Sequence, residues 1–227
     1  NLLLLSWRNI PTSKLSDSNI REFHRGGLFV RTTKTELGLP KLEITEIPIE
    51  QSEVQKQIYS ALKKSYAGSF SLPMDQEAHF RKRGRAVMSL IGASTNPGLL
   101  AGMHNEAAFL NLKWPPKELL HNSTLIEAVE NYVSLEIPPK YKWLINFVDA
   151  ASKRQEKVLV WSSLVGNLKA VERLLKPYNP AIVFGGTSAD DRKSAIAKFK
   201  IDKNCKVLIT NPQTLGEGIS LHKVCHT

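Results

Sequence analysis

Cysteine is scarce: Cys205 and Cys225 are the two in a chain of 227 residues. Two cysteines build no disulfide framework, so the chain is not a small secreted scaffold, and the usage fits a reducing, intracellular compartment. Long hydrophobic runs are missing as well. The apolar start, Leu2 to Leu5, is far too short to span a bilayer and lacks the flanks of a signal peptide, which argues against a membrane partner. No internal repeat and no low-complexity tract is present. No Gly-x-x-x-x-Gly-Lys-Ser/Thr loop cradles phosphate, and no acidic box offers ligands to magnesium. The six histidines are dispersed, and no Ser/His/Asp or Cys/His set points to a hydrolase nucleophile. His222, Cys225 and His226 do not follow a zinc pattern. Aromatic residues make up 7% of the chain, and the scattered Trp7, Trp114, Trp143 and Trp161 read as core packing rather than base stacking.

Basic charge is plentiful. Lys and Arg number 31 against 21 Asp and Glu, a formal net charge of +10, which favours a polyanionic partner, nucleic acid before an anionic surface. Apolar content of 42% makes the chain globular, large enough for one domain or two small ones.

The last seventy-odd residues are the most informative. Val158 to Trp161, Ala181 to Phe184 and Val207 to Ile209 are short aliphatic runs. Each breaks into small polar residues: Ser162-Ser163, Gly185-Gly186-Thr187, and Thr210-Asn211 leading to Gly216-Glu217-Gly218. Buried parallel strands read this way, and ligands of open α/β sheets sit beyond such carboxyl ends. Helical spacing over 164–176 and 189–200 completes a βαβαβ unit, with Ser188 as N-cap and Asp190 and Asp191 in the first turn.

Upstream, the pattern predicts a strand with a bulge over 41–49 and then a helix from Ser52, carrying Val54, Ile58, Ala61 and Leu62 on one face and stopping at Gly68. A helix over 76–93 would bury Phe80, Val87, Leu90 and Ile91 and leave Arg81, Lys82, Arg83 and Arg85 solvated. Helices are expected over 104–112, 117–133 and 140–152, the last burying Trp143, Leu144, Phe147, Val148 and Ala151. A short helix at 18–25 sits among loops at the start.

Several segments in this order resemble the second ATPase lobe of Swi/Snf-type DNA translocases, of the second helicase superfamily. Phe29-Val30-Arg31-Thr32-Thr33-Lys34 with Leu39-Pro40 is similar to the family's Arg-Arg-Thr-Lys segment and the Leu-Pro after it, with Thr32 a departure. Gln51 to Tyr59 resembles the family helix that starts with Gln. Leu90 to Leu99, with Asn96-Pro97, resembles the helix closed by an Asn/His-Pro turn. Pro139-Lys140-Tyr141-Lys142 resembles the lead-in to the second lobe, and Lys157 to Ser163 resembles motif four. Phe184-Gly185-Gly186-Thr187 with Arg192 and Phe199 resembles the segment that follows, with Phe184 in place of an acidic or polar residue. Thr210 to Leu221 resembles motif five, with Leu215 replacing a glycine and Ser220 an asparagine.

The resemblance implies an α/β fold: a RecA-like parallel sheet flanked by helices over 140–227, incomplete at its C-terminus, a mainly helical segment with a linking strand over 36–139, and the tail of a first lobe over 1–35. It implies a parent enzyme that hydrolyses ATP with magnesium and tracks along double-stranded DNA. The missing catalytic parts would precede Asn1, the arginine-rich motif six would follow Thr227, and this fragment alone would be inactive. Gly216, Glu217 and Gly218 would lie nearest the nucleotide. Ser162, Ser163, Gly185, Gly186, Thr187, Arg192, Thr210, Asn211 and Thr214 would meet DNA, with Arg31 and Lys34 reaching DNA or bridging the lobes. Other partners would be the first lobe of the same polypeptide and proteins met through absent domains. The protein would be cytoplasmic in a prokaryote or nuclear in a eukaryote.

Plainer readings of the same residues stand beside these. The 210–218 loop also reads as an ordinary strand-to-helix turn, Ser163 as a helix cap, and Arg31 and Lys34 as solvated surface. A degenerate, non-catalytic lobe that binds DNA or protein is the first rival, kept alive by Phe184 and Leu215. A Rossmann-like cofactor enzyme is the second, disfavoured because Ser162-Ser163 stand where a glycine fingerprint would.

Overall fold

A computed structural model describes residues 43–71, 73, 76–105, 114–215, 220, 221 and 223–225. The chain divides into two compact units, Asn1–Ile47 and Pro48–Thr227. In the first, the described residues 43–47 carry no regular structure. The strand expected over 41–49 is absent from its described part, because residues 43–50 pair with no other strand and are almost wholly exposed.

The second unit starts with helix α1 (Glu53–Ser65). Ser52 caps it by accepting from the Gln55 amide at 3.1 Å, Glu53 lies in the first turn, and Lys63 and Lys64 in the last, all favourable to the helix dipole. The stop comes at Tyr66, not Gly68. Tyr66 is buried, its hydroxyl 3.3 Å from Ser89, and the chain then makes one more turn, α2 (Ala67–Phe70), that contains Gly68.

Helix α3 (Glu77–Thr95) forms where its period predicts and packs Leu90 against the core as expected, but otherwise it presents the opposite face. Ala86, Ser89, Gly92 and Ala93 point inward, while Phe80, Val87 and Ile91 are 50%, 40% and 44% exposed. Small residues let α1 approach closely enough for buried Gln55 to donate to the Ala93 carbonyl at 2.8 Å. A 3-10 segment, Pro97–Asn105, follows, and the helix expected over 104–112 falls mostly outside the described residues. The single helix expected over 117–133 is broken into a 3-10 turn (Lys117–Leu119), α4 (Ser123–Glu130) and α5 (Tyr132–Leu135). The asparagines break it: Asn122 accepts from the Leu125 amide at 3.1 Å, starting α4 afresh, and Asn131 caps its end. One core joins these helices through Ile58, Leu62, Leu119, Val129 and Tyr132, and it includes Leu164 from beyond β1.

Helix α6 (Pro139–Lys153) opens on a proline, whose missing N–H costs nothing in a first turn. Val148 and Ala151 are buried as expected; Tyr141 joins them, while Trp143 is half-buried, stacked on Phe147 with ring centroids 5.0 Å apart. Then come β1 (Val158–Trp161), α7 (Val165–Leu174), β2 (Ala181–Val183), α8 (Ala189–Ile201), β3 (Val207–Thr210) and the single turn α9 (Pro212–Leu215). The strands are parallel in the order β1-β3-β2. Central β3 is buried at every residue, as a strand covered on both faces must be. One core, with Val148, Leu168, Val171 and Ile209, fills one part of this layered structure, and a second, with Phe199, Cys205 and Leu208, fills another.

Candidate nucleic-acid interface

Strand register places the candidate loops together. Trp161 and Val183 both stand opposite Thr210, so the three strands end level and their next residues, Ser162, Phe184 and Asn211, leave the sheet at one edge. The Ser162 amide extends the ladder by donating to the Thr210 carbonyl at 3.0 Å.

At the first strand end, Ser163 is exposed and Ser162 half-buried. The Ser162 Oγ accepts from the Leu164 amide at 3.2 Å and from Asn167 Nδ2 at 2.9 Å. Ser163 does not cap α7; that position falls to Leu164, which makes no side-chain cap bond. Helix α7 has no acidic residue in its first turn.

At the second, Phe184 to Thr187 form a closed turn. The Thr187 amide donates to the Phe184 carbonyl at 2.9 Å, and Thr187 Oγ1 accepts from the Phe184 amide at 3.0 Å. Gly185 and Gly186 are exposed at the tip. A Cβ on Gly186 would come to 3.0 Å from the Phe184 ring, and one on Gly185 would stand 4.0 Å from Thr214 Oγ1, so the second and third loops lie side by side. Phe184 lies under Lys169, whose Nζ is 5.5 Å from the ring centroid. Ser188 caps α8, accepting from the Asp191 amide at 3.1 Å, and Asp190 and Asp191 occupy its first turn. Those carboxylates set this helix end against an anion. Arg192 follows, half-buried, its Nε enclosed without a hydrogen-bond partner among the described residues.

At the third, Thr210 is fully enclosed and Asn211 is 8% exposed. Thr210 Oγ1 and Asn211 Oδ1 have no hydrogen-bond partner among the described residues. Neither presents a donor at the surface; Thr214, half-buried, stands closer to it. Gly216, Glu217 and Gly218 lie outside the described residues, as do Arg31 and Lys34.

Two features escaped the sequence reading. Trp161 is 43% exposed beside Ser162, in a groove of about 360 Å³ that also includes Lys140, Trp143 and Tyr141. It is therefore not a core residue. The other is a buried chain of side chains behind Ser162. Tyr141 donates to Asn167 Oδ1 at 2.7 Å and accepts from Asn96 Nδ2 at 3.3 Å, while Asn96 Oδ1 accepts from the Gly98 amide at 2.9 Å. Burial pushes the Tyr141 hydroxyl above its ordinary pKa, with the bond from Asn96 pulling the other way. Asn96 and Tyr141 lie within segments that suggested the family; nothing local in the sequence singled out Asn167.

Among the described residues no three His, Cys, Asp or Glu side chains gather into a metal-binding group, and no helix is long and apolar enough to cross a membrane. Cys205 is buried, which raises its thiol pKa, and Cys225 donates to the Lys157 carbonyl at 3.1 Å.

Residues 139–227 match the helicase conserved C-terminal domain. The fold is similar to that of the Sulfolobus solfataricus SWI2/SNF2 ATPase C-terminal domain, with a TM-score of 0.53 at 15% identity over 79% of this chain and 68% of that one. The C-terminal part of the Fun30 ATPase domain gives a TM-score of 0.46 at 18% identity over 73% of this chain and 67% of that one. No curated protein matches the sequence. The chain thus has a parallel, RecA-like sheet preceded by a helical segment, and the part from residue 139 onwards is similar to helicase C-terminal domains. In fold it is similar to the SWI2/SNF2 ATPase C-terminal domain.

Proposed function

We propose that this chain is the second, DNA-gripping lobe of an ATP-dependent translocase on double-stranded DNA. The observation that carries the reading is the level ending of the three strands, which sets Ser162-Ser163, Gly185-Gly186-Thr187 and Asn211-Thr214 along one edge. Hydroxyls and backbone amides at such an edge hold phosphates without reading sequence, as stepping along any sequence requires. The formal charge of +10 supplies long-range attraction to the backbone. Ser162, Ser163, Gly185, Gly186, Thr187 and Thr214 make the contacts in this reading, while Thr210 and Asn211 support the loop from below. Arg31, Lys34 and Arg192 add charge.

Gly216, Glu217 and Gly218 face the nucleotide in this scheme. ATP with magnesium, held by a first lobe of the same polypeptide, supplies the phosphoryl chemistry. The lobe contributed by this chain moves its grip on DNA as the cleft closes and opens. Two of the departures from the family pattern, the two that keep the degenerate-lobe rival alive, are absorbed by packing: Leu215 is buried in the core and Phe184 lies beneath Lys169. That favours an intact lobe over a degenerate one.

Duplex binding by the chain tests the DNA contact. Affinity is expected to be independent of sequence and to fall steeply with salt, the logarithmic slope rising by about 0.9 for each phosphate neutralised. Salt-insensitive binding, or none, contradicts it.

A further inference from the structure

Ser162 has both acceptor positions occupied from behind, by the Leu164 amide and by Asn167 Nδ2. A hydroxyl with its lone pairs engaged has its proton left to give. Among the described residues that proton meets only a long contact, 3.5 Å, to the Leu164 carbonyl. Phosphate oxygens accept and do not donate, so a hydroxyl held in this state is matched to a DNA backbone.

The orientation is inherited from a chain of bonds with one consistent direction. The Gly98 amide engages Asn96 Oδ1, which turns Asn96 Nδ2 towards Tyr141. Tyr141, its oxygen accepting from Asn96, donates to Asn167 Oδ1. Asn167 then presents its amino group to Ser162. Asn96, Tyr141 and Asn167 are 5%, 6% and 8% exposed, so water cannot readily substitute for a missing member. The chain begins at the turn after α3, in the helical segment, and ends at the edge of the sheet.

We infer that Tyr141 is a positioning residue that, through Asn167, holds Ser162 as a hydrogen-bond donor to a DNA phosphate and ties that grip to the Asn96-Pro97-Gly98 turn of the helical segment. The inference rests on the DNA reading of this edge.

The test is a double-mutant cycle in duplex affinity, read by fluorescence anisotropy on the full chain with Tyr141→Phe, Ser162→Ala and both. Each single change is expected to weaken binding roughly 3- to 10-fold, the net worth of one ordinary hydrogen bond. The double variant should bind no more weakly than Ser162→Ala alone, because Tyr141 acts through Ser162. Tyr141→Phe keeps the buried ring; Asn96→Ser, cutting the chain one member earlier, is the second variant and should behave alike. Val129→Ala, in the distant helical core, loses stability without losing affinity, and shows that destabilisation alone does not mimic the effect. Unchanged affinity in Tyr141→Phe and Asn96→Ser, an inert Ser162→Ala, or effects that simply multiply would overturn the inference while leaving the DNA reading in place. A wild-type chain that binds no duplex removes the DNA reading and the inference with it.

Discussion

Glu136 gathers two donors. The Tyr132 hydroxyl donates to its Oε1 at 2.6 Å, and the Ser52 hydroxyl donates to the same atom, so the start of α1 is tied to the end of α5. Desolvation, reinforced by the bond to Glu136, drives the Tyr132 pKa far above its ordinary value of 10.0. The unfolded chain releases that proton near pH 10 and the folded one does not, so the stabilisation is complete below pH 10 and fades as pH rises beyond it. Thermal unfolding followed from pH 8 to pH 11 should show a midpoint falling in the upper part of that range. Tyr132→Phe should lower the midpoint at neutral pH, by about 1 kcal/mol of stability, and flatten the alkaline fall; an unchanged alkaline slope would show that Tyr132 is not its source. Legibility at this scale was uneven. Ser162, Gly185 and Thr214 were found because strand ends carry ligand loops, and the structure does bring them to one edge. The burial of Thr210 was not legible, because a threonine just past an aliphatic run looks the same in sequence whether it faces solvent or the loop after it.

Helix α3 shows what periodicity cannot decide. Its larger apolar residues and its small ones lie on opposite faces, and the spacing of Phe80, Val87 and Ile91 satisfies the rule for a core face as well as that of Ala86, Ser89 and Ala93. The small face wins because Gln55 must reach the Ala93 carbonyl, and that contact lies 38 residues away in sequence. Ala93→Leu is therefore expected to destabilise by about 1–3 kcal/mol through overpacking. Ile91→Lys should stay within about 0.5 kcal/mol, as exposed substitutions do. Chemical denaturation of the two variants distinguishes the faces, and the reverse order would restore the face read from sequence. The strands and the helices α6 to α8 were read to within a few residues, because continuous aliphatic runs and 3.6-residue spacing both reflect burial directly. The segment 117–133 was read as one helix because its apolar period continues through Asn122 and Asn131, whose side chains compete with the helix backbone.

The second unit joins a helical core to a layered sheet, with Leu164 packed in the former and Ser162 two residues earlier at the edge of the latter. Parallel order and level strand ends bring the three loops to one edge, the edge proposed to meet DNA. The family pattern in the sequence anticipated this arrangement through segment order, not through any single motif; what it left dark was the polar chain that crosses between the two parts. At this scale the chain alone is expected to turn over no ATP, because its sequence holds no Gly-x-x-x-x-Gly-Lys-Ser/Thr loop and no metal-binding group gathers among the described residues. Robust turnover by the purified chain would contradict that.

The most direct measurement is ATP hydrolysis by this chain joined to the first ATPase lobe that the proposed function requires, with and without double-stranded DNA, beside a Gly185→Asp variant. A side chain there makes ordinary contact with Thr214 and adds a carboxylate to the DNA edge. The account predicts strong stimulation by duplex DNA that the variant largely loses while its DNA-free rate is kept. Turnover indifferent to DNA, or no turnover with any nucleic acid, would contradict the translocase reading and leave a binding lobe in its place.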